Sequence, residues 1–389
     1  MQLQPDLVSR EVLQQQLEQV LPDFNRSAGI PPACYADAGL LALERRAVFQ
    51  QGWVALGFTD RWRNAGDYTA MDIGGVPVIV VRNGKGKLKV FANSCRHRGS
   101  ALLDGSGTCN KIKCPFHWWS YDLDGILKVY PRMENAVDFS PADHGLVEFP
   151  VACSQGLAFT SFAQTPPDID SWLGDFGERH AQWRLDDLVV TRLREFDVDC
   201  NWKTFIEVFN EYYHLPSVHP DSINWLYPEP DPVDEVQGAY TTQFGATDGA
   251  AALLSQHQDQ ALPVGAGLQG RFQRGTRYTW IYPNLTFAAS QDALWMYQAF
   301  PLAADRCHVV QTIVFPSASI ALDDFQQRAV HYYDRIDAAL AEDLPFLEQQ
   351  QRGLNSRFAQ PGRFGALEPS VGKFAYWYAR QLLADLANR

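Results

Sequence analysis

The chain has 389 residues, of which 46% are hydrophobic, 20% charged and 13% aromatic, and it carries a formal net charge of -12. That length exceeds one typical core and predicts two domains of a globular protein. The acidic balance argues against a nucleic-acid partner, which needs clustered Lys and Arg to neutralise phosphates. No apolar run is long enough to span a bilayer, and Met1 to Arg10 lacks the basic and apolar blocks of a signal peptide, so no membrane partner is expected and the cytoplasm is the default compartment.

Residues 1–50 read as two helical pieces, one led by Glu11-Val12-Leu13 and one over residues 40–49, because apolar residues recur there at helical spacing. From Trp53 short strands take over. Residues 76–81 and 88–91 are apolar runs joined by Asn83-Gly84-Lys85-Gly86, a hairpin signal. Residues 119–121 and, after the Asp124-Gly125 turn, 126–129 add further strands, so residues 51–165 predict a small all-β domain with its chemistry at loop tips. Pro166-Pro167, followed by Asp168, Asp170 and Asp175, marks the boundary. Residues 166–389 then alternate longer helices and strands as a second domain, with a mobile loop predicted between Pro228 and Leu268 from its Gly, Pro, Asp and Gln content.

Two short segments carry the first chemistry: Cys95-Arg96-His97 and, sixteen residues on, Cys114-Pro115-Phe116-His117. Two thiolates and two imidazoles form a ligand set for a Rieske [2Fe-2S] cluster, cysteines on one iron and histidines on the other, whose potential lies well above that of an all-cysteine ferredoxin. A structural zinc site competes, but it pairs Cys with Cys and His with His, whereas each pair here is mixed. The remaining cysteines, Cys34, Cys109, Cys153, Cys200 and Cys307, lack the spacing of a disulfide framework and read as buried small hydrophobes. Gly265-Ala266-Gly267-Leu268-Gln269-Gly270 matches the dinucleotide fingerprint by letters, yet Pro263 spoils a preceding strand and residues 278–282 read as strand where a helix is required. Nicotinamide therefore serves only indirectly, through a separate reductase.

His214 and His219, at the end of a helical run broken by Pro216, can converge on one metal, and a carboxylate would complete the facial triad of a non-haem Fe(II) oxygenase that activates dioxygen. A histidine pair alone is more often solvated or packed in a core. A one-electron donor upstream changes that balance.

With both motifs in order, the whole chain resembles the large (alpha) subunit of Rieske non-haem iron oxygenases: Cys95-x-His97 and Cys114-x2-His117 match the cluster motif, and Glu211-x2-His214-x4-His219 the iron motif. The resemblance implies an α+β protein, a small all-β Rieske domain joined to a helix-grip catalytic domain with an antiparallel sheet flanked by helices, and an N-terminal helical segment, residues 1–50, packing with the latter. It implies a [2Fe-2S] cluster, mononuclear Fe(II) held by His214, His219 and a downstream Asp, a flavin or iron-sulfur reductase as partner, and a head-to-tail homotrimer. The third ligand is expected at Asp343 of the acidic pair Glu342-Asp343; Asp334 and Asp337 on the same helical stretch are the alternatives. Glu211 stands where the family places a carboxylate that bridges a Rieske histidine, here His117, to an iron ligand, here His214, across a subunit boundary. Most relatives carry Asp there, and Glu resembles the subgroup acting on quaternary ammonium compounds.

Strand alternation puts Tyr278, Trp280 and Tyr282 on one face, with Trp295 and Tyr297 together on the next strand. These aromatic faces could cage a methylated ammonium, or simply form sheet core; Trp225 and Tyr227 are further wall candidates. The leading expectation is a terminal monooxygenase that hydroxylates, and so N-demethylates, a methylated or quaternary ammonium compound. Hydroxylation of an aromatic ring or aromatic carboxylate is the second reading. A Rieske electron carrier, a protein of another class, would leave His214, His219 and their acidic neighbours without a role.

Overall fold

The computed structural model describes residues 9–227 and 230–388 and contains two compact units, residues 50–166 and residues 1–49 with 167–389. The N-terminal helical segment thus belongs to the unit formed by the C-terminal part of the chain. Its first helix, Arg10–Glu18, is capped by the Ser9 side chain on the Val12 amide and buries Leu13 and Leu17. Nine residues are too few for a stable isolated helix. Burying two leucines, at roughly 1.5–3 kcal/mol each, holds it in place against the C-terminal helix Pro369–Ala387. The second predicted piece is Ala38–Glu44, N-capped by Asp37 and continued as a π-turn over Arg45–Phe49.

The smaller unit is built of short antiparallel strands. A five-stranded sheet runs in the order Ser106–Thr108, Asp67–Ile73, Val76–Arg82, Leu88–Ala92, Glu148–Phe149. The turn at Asn83 forms as the sequence predicts: its side-chain oxygen accepts the Lys85 and Lys87 amides, and Gly86 takes a φ of +74°. A three-stranded sheet of Ile112–Lys113, Ser120–Tyr121 and Leu127–Val129 carries the second ligand loop between its first two strands.

The larger unit is centred on a six-stranded antiparallel sheet in the order Leu188–Val198, Arg306–Pro316, Leu294–Ala303, Leu285–Ala289, Gly275–Ile281, Tyr240–Ala246. Tyr278 pairs with Ala288 and Ala288 with Trp295; one row along, Trp280 pairs with Thr286 and Thr286 with Tyr297. The four large rings therefore share one face, separated by small residues. Helix Trp202–Phe209 crosses that face with Phe205 and Phe209 against Tyr297, at centroid distances of 5.6 and 5.1 Å. Phe374 of the C-terminal helix stacks on Trp280 at 3.9 Å, and Trp377 lies 4.9 Å from Tyr282. The thirty-residue helix Phe325–Leu354 completes the helical layer.

Two expectations need correction. The span between Pro228 and Leu268 is not a loop throughout: Tyr240–Ala246 is a buried edge strand of the six-stranded sheet, Ala250–Leu253 is buried and Ser255–Gln260 forms a 3-10 turn. The Tyr-Thr-Thr-Gln-Phe run is rich in β-branched and aromatic residues, a signal masked by the turn formers around it; Pro228 and Glu229 themselves lie outside the described residues. Cys153 is exposed on strand Val151–Ser154 and Cys109 is half-buried, whereas Cys34, Cys200 and Cys307 are buried; all seven thiols are unpaired. Residues 265–270 run through a turn into the 3-10 segment Gly270–Gln273 and then a strand, so the motif does not open an α-helix.

Candidate functional site

The two cluster loops are built alike. In each, the residue four after the cysteine returns its amide to the cysteine carbonyl, Gly99 to Cys95 at 2.8 Å and Trp118 to Cys114 at 3.1 Å. Both turning residues have positive φ, which glycine adopts freely and Trp118 only at a cost. The turns put the thiols inside, with Cys95 4% and Cys114 1% exposed, and leave both imidazoles at the rim. His97 and His117 meet edge to face at 4.7 Å, and His97 is stacked on Trp119 at 4.8 Å. The Tyr121 hydroxyl lies 3.5 Å from Cys95 Sγ. Burial alone would raise the Cys114 thiol, but the amides of Phe116 and His117 and the neighbouring Cys95 outweigh it and hold it below its ordinary value. Burial, with His117 and Arg98 nearby, lowers the basicity of His97, and its buried Nδ1 has no hydrogen-bond partner among the described residues. A stabilised thiolate at Cys114 and a free ring nitrogen at His97 suit the ligation of a Rieske cluster.

The second site lies on the larger unit. Helix Trp202–Phe209 ends at Asn210, and the chain turns through Glu211 into the short helix Leu215–Val218, with His214 before it and His219 after it. Glu211 shapes this turn itself: its Oε2 accepts the amides of Tyr213 and His214, and its Oε1 accepts His214 Nδ1 at 2.5 Å. On the other ring, His219 Nδ1 donates to Glu342 Oε2 at 2.6 Å, and Ser222 Oγ donates to the same oxygen at 2.6 Å. Each imidazole thus has its Nδ1 proton fixed by a carboxylate, leaving Nε2 as the lone-pair nitrogen.

Both Nε2 atoms converge on Asp343, 3.6 Å from His214 and 2.9 Å from His219 at Oδ1, and one ligand atom from each of the three residues lies within 4.8 Å of the others. Asp343 Oδ1 is buried and has no hydrogen-bond partner among the described residues. Burial opposes a charge on His219, but Asp343 and Glu342 at its two nitrogens outweigh that and raise its basicity. An acceptor oxygen facing two acceptor nitrogens calls for a cation between them, and two His with one carboxylate suit Fe(II) with open positions. The other acidic candidates stand apart: Asp334 is exposed, and Asp337 forms ion pairs with Arg192 and Arg194.

Above this triad lies a cavity of about 650 Å³, mouth included, walled by Phe205, Phe209, Tyr212, Tyr278, Trp295 and Tyr297. Among the aromatic residues singled out from the sequence, Tyr278, Trp295 and Tyr297 line it. Tyr227 sits behind, with its hydroxyl 2.8 Å from that of Tyr278. Trp280 and Tyr282 are core under the C-terminal helix, and Trp225 is 36% exposed with its Nε1 bonded to the Ser222 carbonyl. Sequence reasoning missed Glu342 as the holder of His219, and Arg335, buried at 3% exposure on the cavity wall. The signal for Arg335 was helical spacing: Arg335, Ala339, Asp343 and Leu347 form one stripe of the long helix at intervals of four.

Replacing Glu342 by Gln should free the His219 tautomer and weaken iron binding about 10- to 100-fold. Iron retention during dialysis against a graded chelator checks this, and wild-type retention would show that Ser222 and packing suffice to orient the ring.

Residues 52–150 match the Rieske [2Fe-2S] domain, and residues 177–384 match the catalytic domain of ring-hydroxylating alpha subunits. The chain is 30% identical to the oxygenase subunit of glycine betaine monooxygenase from Chromohalobacter salexigens, over 92% of this chain and 86% of that protein. It is 28% identical to the chloroplastic choline monooxygenase of Arabidopsis thaliana, over 90% and 82%. In three dimensions it resembles the quaternary ammonium Rieske monooxygenase CntA in complex with L-carnitine, with a TM-score of 0.74 and 23% identity over 91% of this chain and 96% of that one. Naphthalene 1,2-dioxygenase from Rhodococcus sp. gives 0.79 at 20% identity, over 97% and 100%. The matches to both domains, with a relative 30% identical along 86% of its length, place the chain in the Rieske-type ring-hydroxylating oxygenase alpha-subunit family, enzymes that carry a [2Fe-2S] cluster and a mononuclear iron.

Proposed function

We propose that this oxygenase hydroxylates an N-methyl group of a quaternary or otherwise methylated ammonium compound, with Cys95, His97, Cys114 and His117 holding the cluster and His214, His219 and Asp343 holding the iron. The observation that carries the substrate reading is the aromatic wall of Phe209, Tyr278, Trp295 and Tyr297 directly above the triad, since ring faces attract a trimethylammonium group. Relatives that act on glycine betaine and choline support it. The bound iron would supply dioxygen activation.

The chain's own residues bind and orient. Glu211 and Glu342 hold the two Nδ1 positions and so turn both Nε2 atoms toward Asp343, and the aromatic wall excludes water. In the overall reaction dioxygen takes two electrons from the reductase and two protons; one oxygen atom enters a methyl C–H bond and the other leaves as water. The N–CH2OH product then breaks its C–N bond, nitrogen keeping the electron pair, and releases formaldehyde and a proton. A reductase-coupled assay over betaines, amines and aromatic acids, read by oxygen uptake and product mass, tests this. Formaldehyde from a methylated ammonium compound supports the proposal; ring hydroxylation with none from any amine overturns it.

The active form in this reading is a cytoplasmic homotrimer in which Glu211 passes the electron from His117 of a neighbouring subunit to His214. Glu211, His214 and Asp343 also line a second, wider cavity of about 1320 Å³, open solvent included, so the carboxylate can be approached from outside the substrate chamber. Glu211→Gln should retain both metals while coupled turnover falls about 10- to 100-fold; unimpaired turnover would count against the bridge.

A further inference from the structure

The aromatic cavity holds a cation of its own. Arg335 lies within it at 3% exposure, with its guanidinium carbon 4.9 Å over the Trp295 ring. Its one hydrogen bond among the described residues runs from Nη2 to the Tyr227 hydroxyl at 3.2 Å; Nε is buried without a partner, and no described carboxylate pairs with it. The buried guanidinium of Arg277 and the half-buried one of Arg192, by contrast, each reach an aspartate.

A buried charge without a counter-ion is costly, and a guanidinium with free donors is built to receive a carboxylate. The acidic groups of the chamber are committed elsewhere, Asp343 toward the histidine nitrogens and Glu211 to His214. Arg335 also covers a face of Trp295, which removes that face from any ammonium and leaves Tyr278, Tyr297 and Phe209 for it. Arg335 and Asp343 stand eight residues apart on one helix, about 12 Å along its axis, and Ala339 between them leaves the gap open.

Resting on the substrate reading above, we infer that Arg335 anchors the carboxylate of a zwitterionic substrate, so that the cavity selects a betaine over an uncharged or purely cationic methylated compound. The carboxylate pairs with the guanidinium, and the methylated nitrogen lies among the rings on the side of the triad.

Three isosteric compounds test this: glycine betaine, choline, which lacks the carboxylate, and 3,3-dimethylbutanoate, which lacks the positive nitrogen. Binding to anaerobic holoenzyme is read by tryptophan fluorescence and turnover by formaldehyde. Wild type should bind betaine roughly 10- to 100-fold more tightly than either analogue. Arg335→Gln should raise KM for betaine by the same factor and leave choline unaffected or improved, while Arg335→Lys should recover part of the loss. Equal affinity for choline and betaine in wild type, or an unchanged ratio in Arg335→Gln, overturns the carboxylate anchor and leaves the ammonium reading intact. Betaine and dimethylbutanoate binding equally would instead overturn the ammonium reading, and with it the zwitterion. The wild-type comparison decides even if the Gln variant folds poorly.

Discussion

Asp343→Ala should reduce the iron content of the purified chain from about three per chain to about two, leave labile sulfide at about two, and abolish substrate-dependent oxygen uptake. The expectation follows from the position of the carboxylate. Asp343 Oδ1 is a buried oxygen that faces both Nε2 atoms, and it has no hydrogen-bond partner among the described residues. Asp337, a turn and a half away on the same helix, is already neutralised by Arg192 and Arg194, so Asp337→Asn should keep the third iron and serves as the control. The cluster loops belong to the other compact unit, so the visible spectrum of the [2Fe-2S] centre should not change. Full retention of the third iron in Asp343→Ala would remove this residue from the ligand set.

The contrast between these two metal sites explains what could be read in the sequence. The cluster loops and the Glu211-to-His219 segment are local: in each, ligands sit a few residues apart, and the turns that orient them are made by residues inside the motif, Pro216, or within two residues of it, Gly99 and Trp118. Asp343 was legible only through family resemblance, because a single acidic residue on a thirty-residue helix has no local mark that separates it from Asp334 or Asp337. The cavity was harder still. Tyr278, Trp280, Tyr297 and Trp295 share one sheet face, as alternation requires, but which of them meets substrate depends on which helix lies above. Phe374 of the C-terminal helix seals Trp280, whereas the stripe Arg335-Ala339-Asp343 leaves space over Tyr278 and Trp295. Arg335 looked like an ordinary helix charge until the sheet was beneath it. Turn-forming composition misled in the opposite direction at residues 240–246, where tertiary pairing along a sheet edge prevailed over the flanking Gly and Pro.

The largest effect on stability is expected at a site remote from both metals. Lys203 is fully buried, with its ammonium on Glu44 Oε1 at 2.5 Å and the Cys34 carbonyl at 2.8 Å, and it lies about equally far from the rings of Tyr35, Trp202 and Tyr378. The Tyr378 hydroxyl donates to the same Glu44 oxygen at 2.7 Å and Trp202 Nε1 to the other at 2.8 Å, so one carboxylate joins the N-terminal helices, helix Trp202–Phe209 and the C-terminal helix. Lys203→Met keeps the stem volume and removes the charge, which strands Glu44 in an apolar, low-dielectric setting; breaking such a pair costs about 3–5 kcal/mol. Burial already pushes Glu207 up to about 7 against the pull of Tyr35 and Lys203, and the loss of Lys203 would push it further. With a urea m-value of about 3 kcal/mol/M, the unfolding midpoint of the catalytic unit should fall by about 1–1.7 M. Adding Glu44→Gln removes the stranded charge while the amide oxygen still accepts a ring donor, so the double variant should regain part of the loss. A Lys203→Met midpoint within about 0.3 M of wild type, or a double variant less stable than the single one, would mean that packing rather than the ion pair holds these helices together.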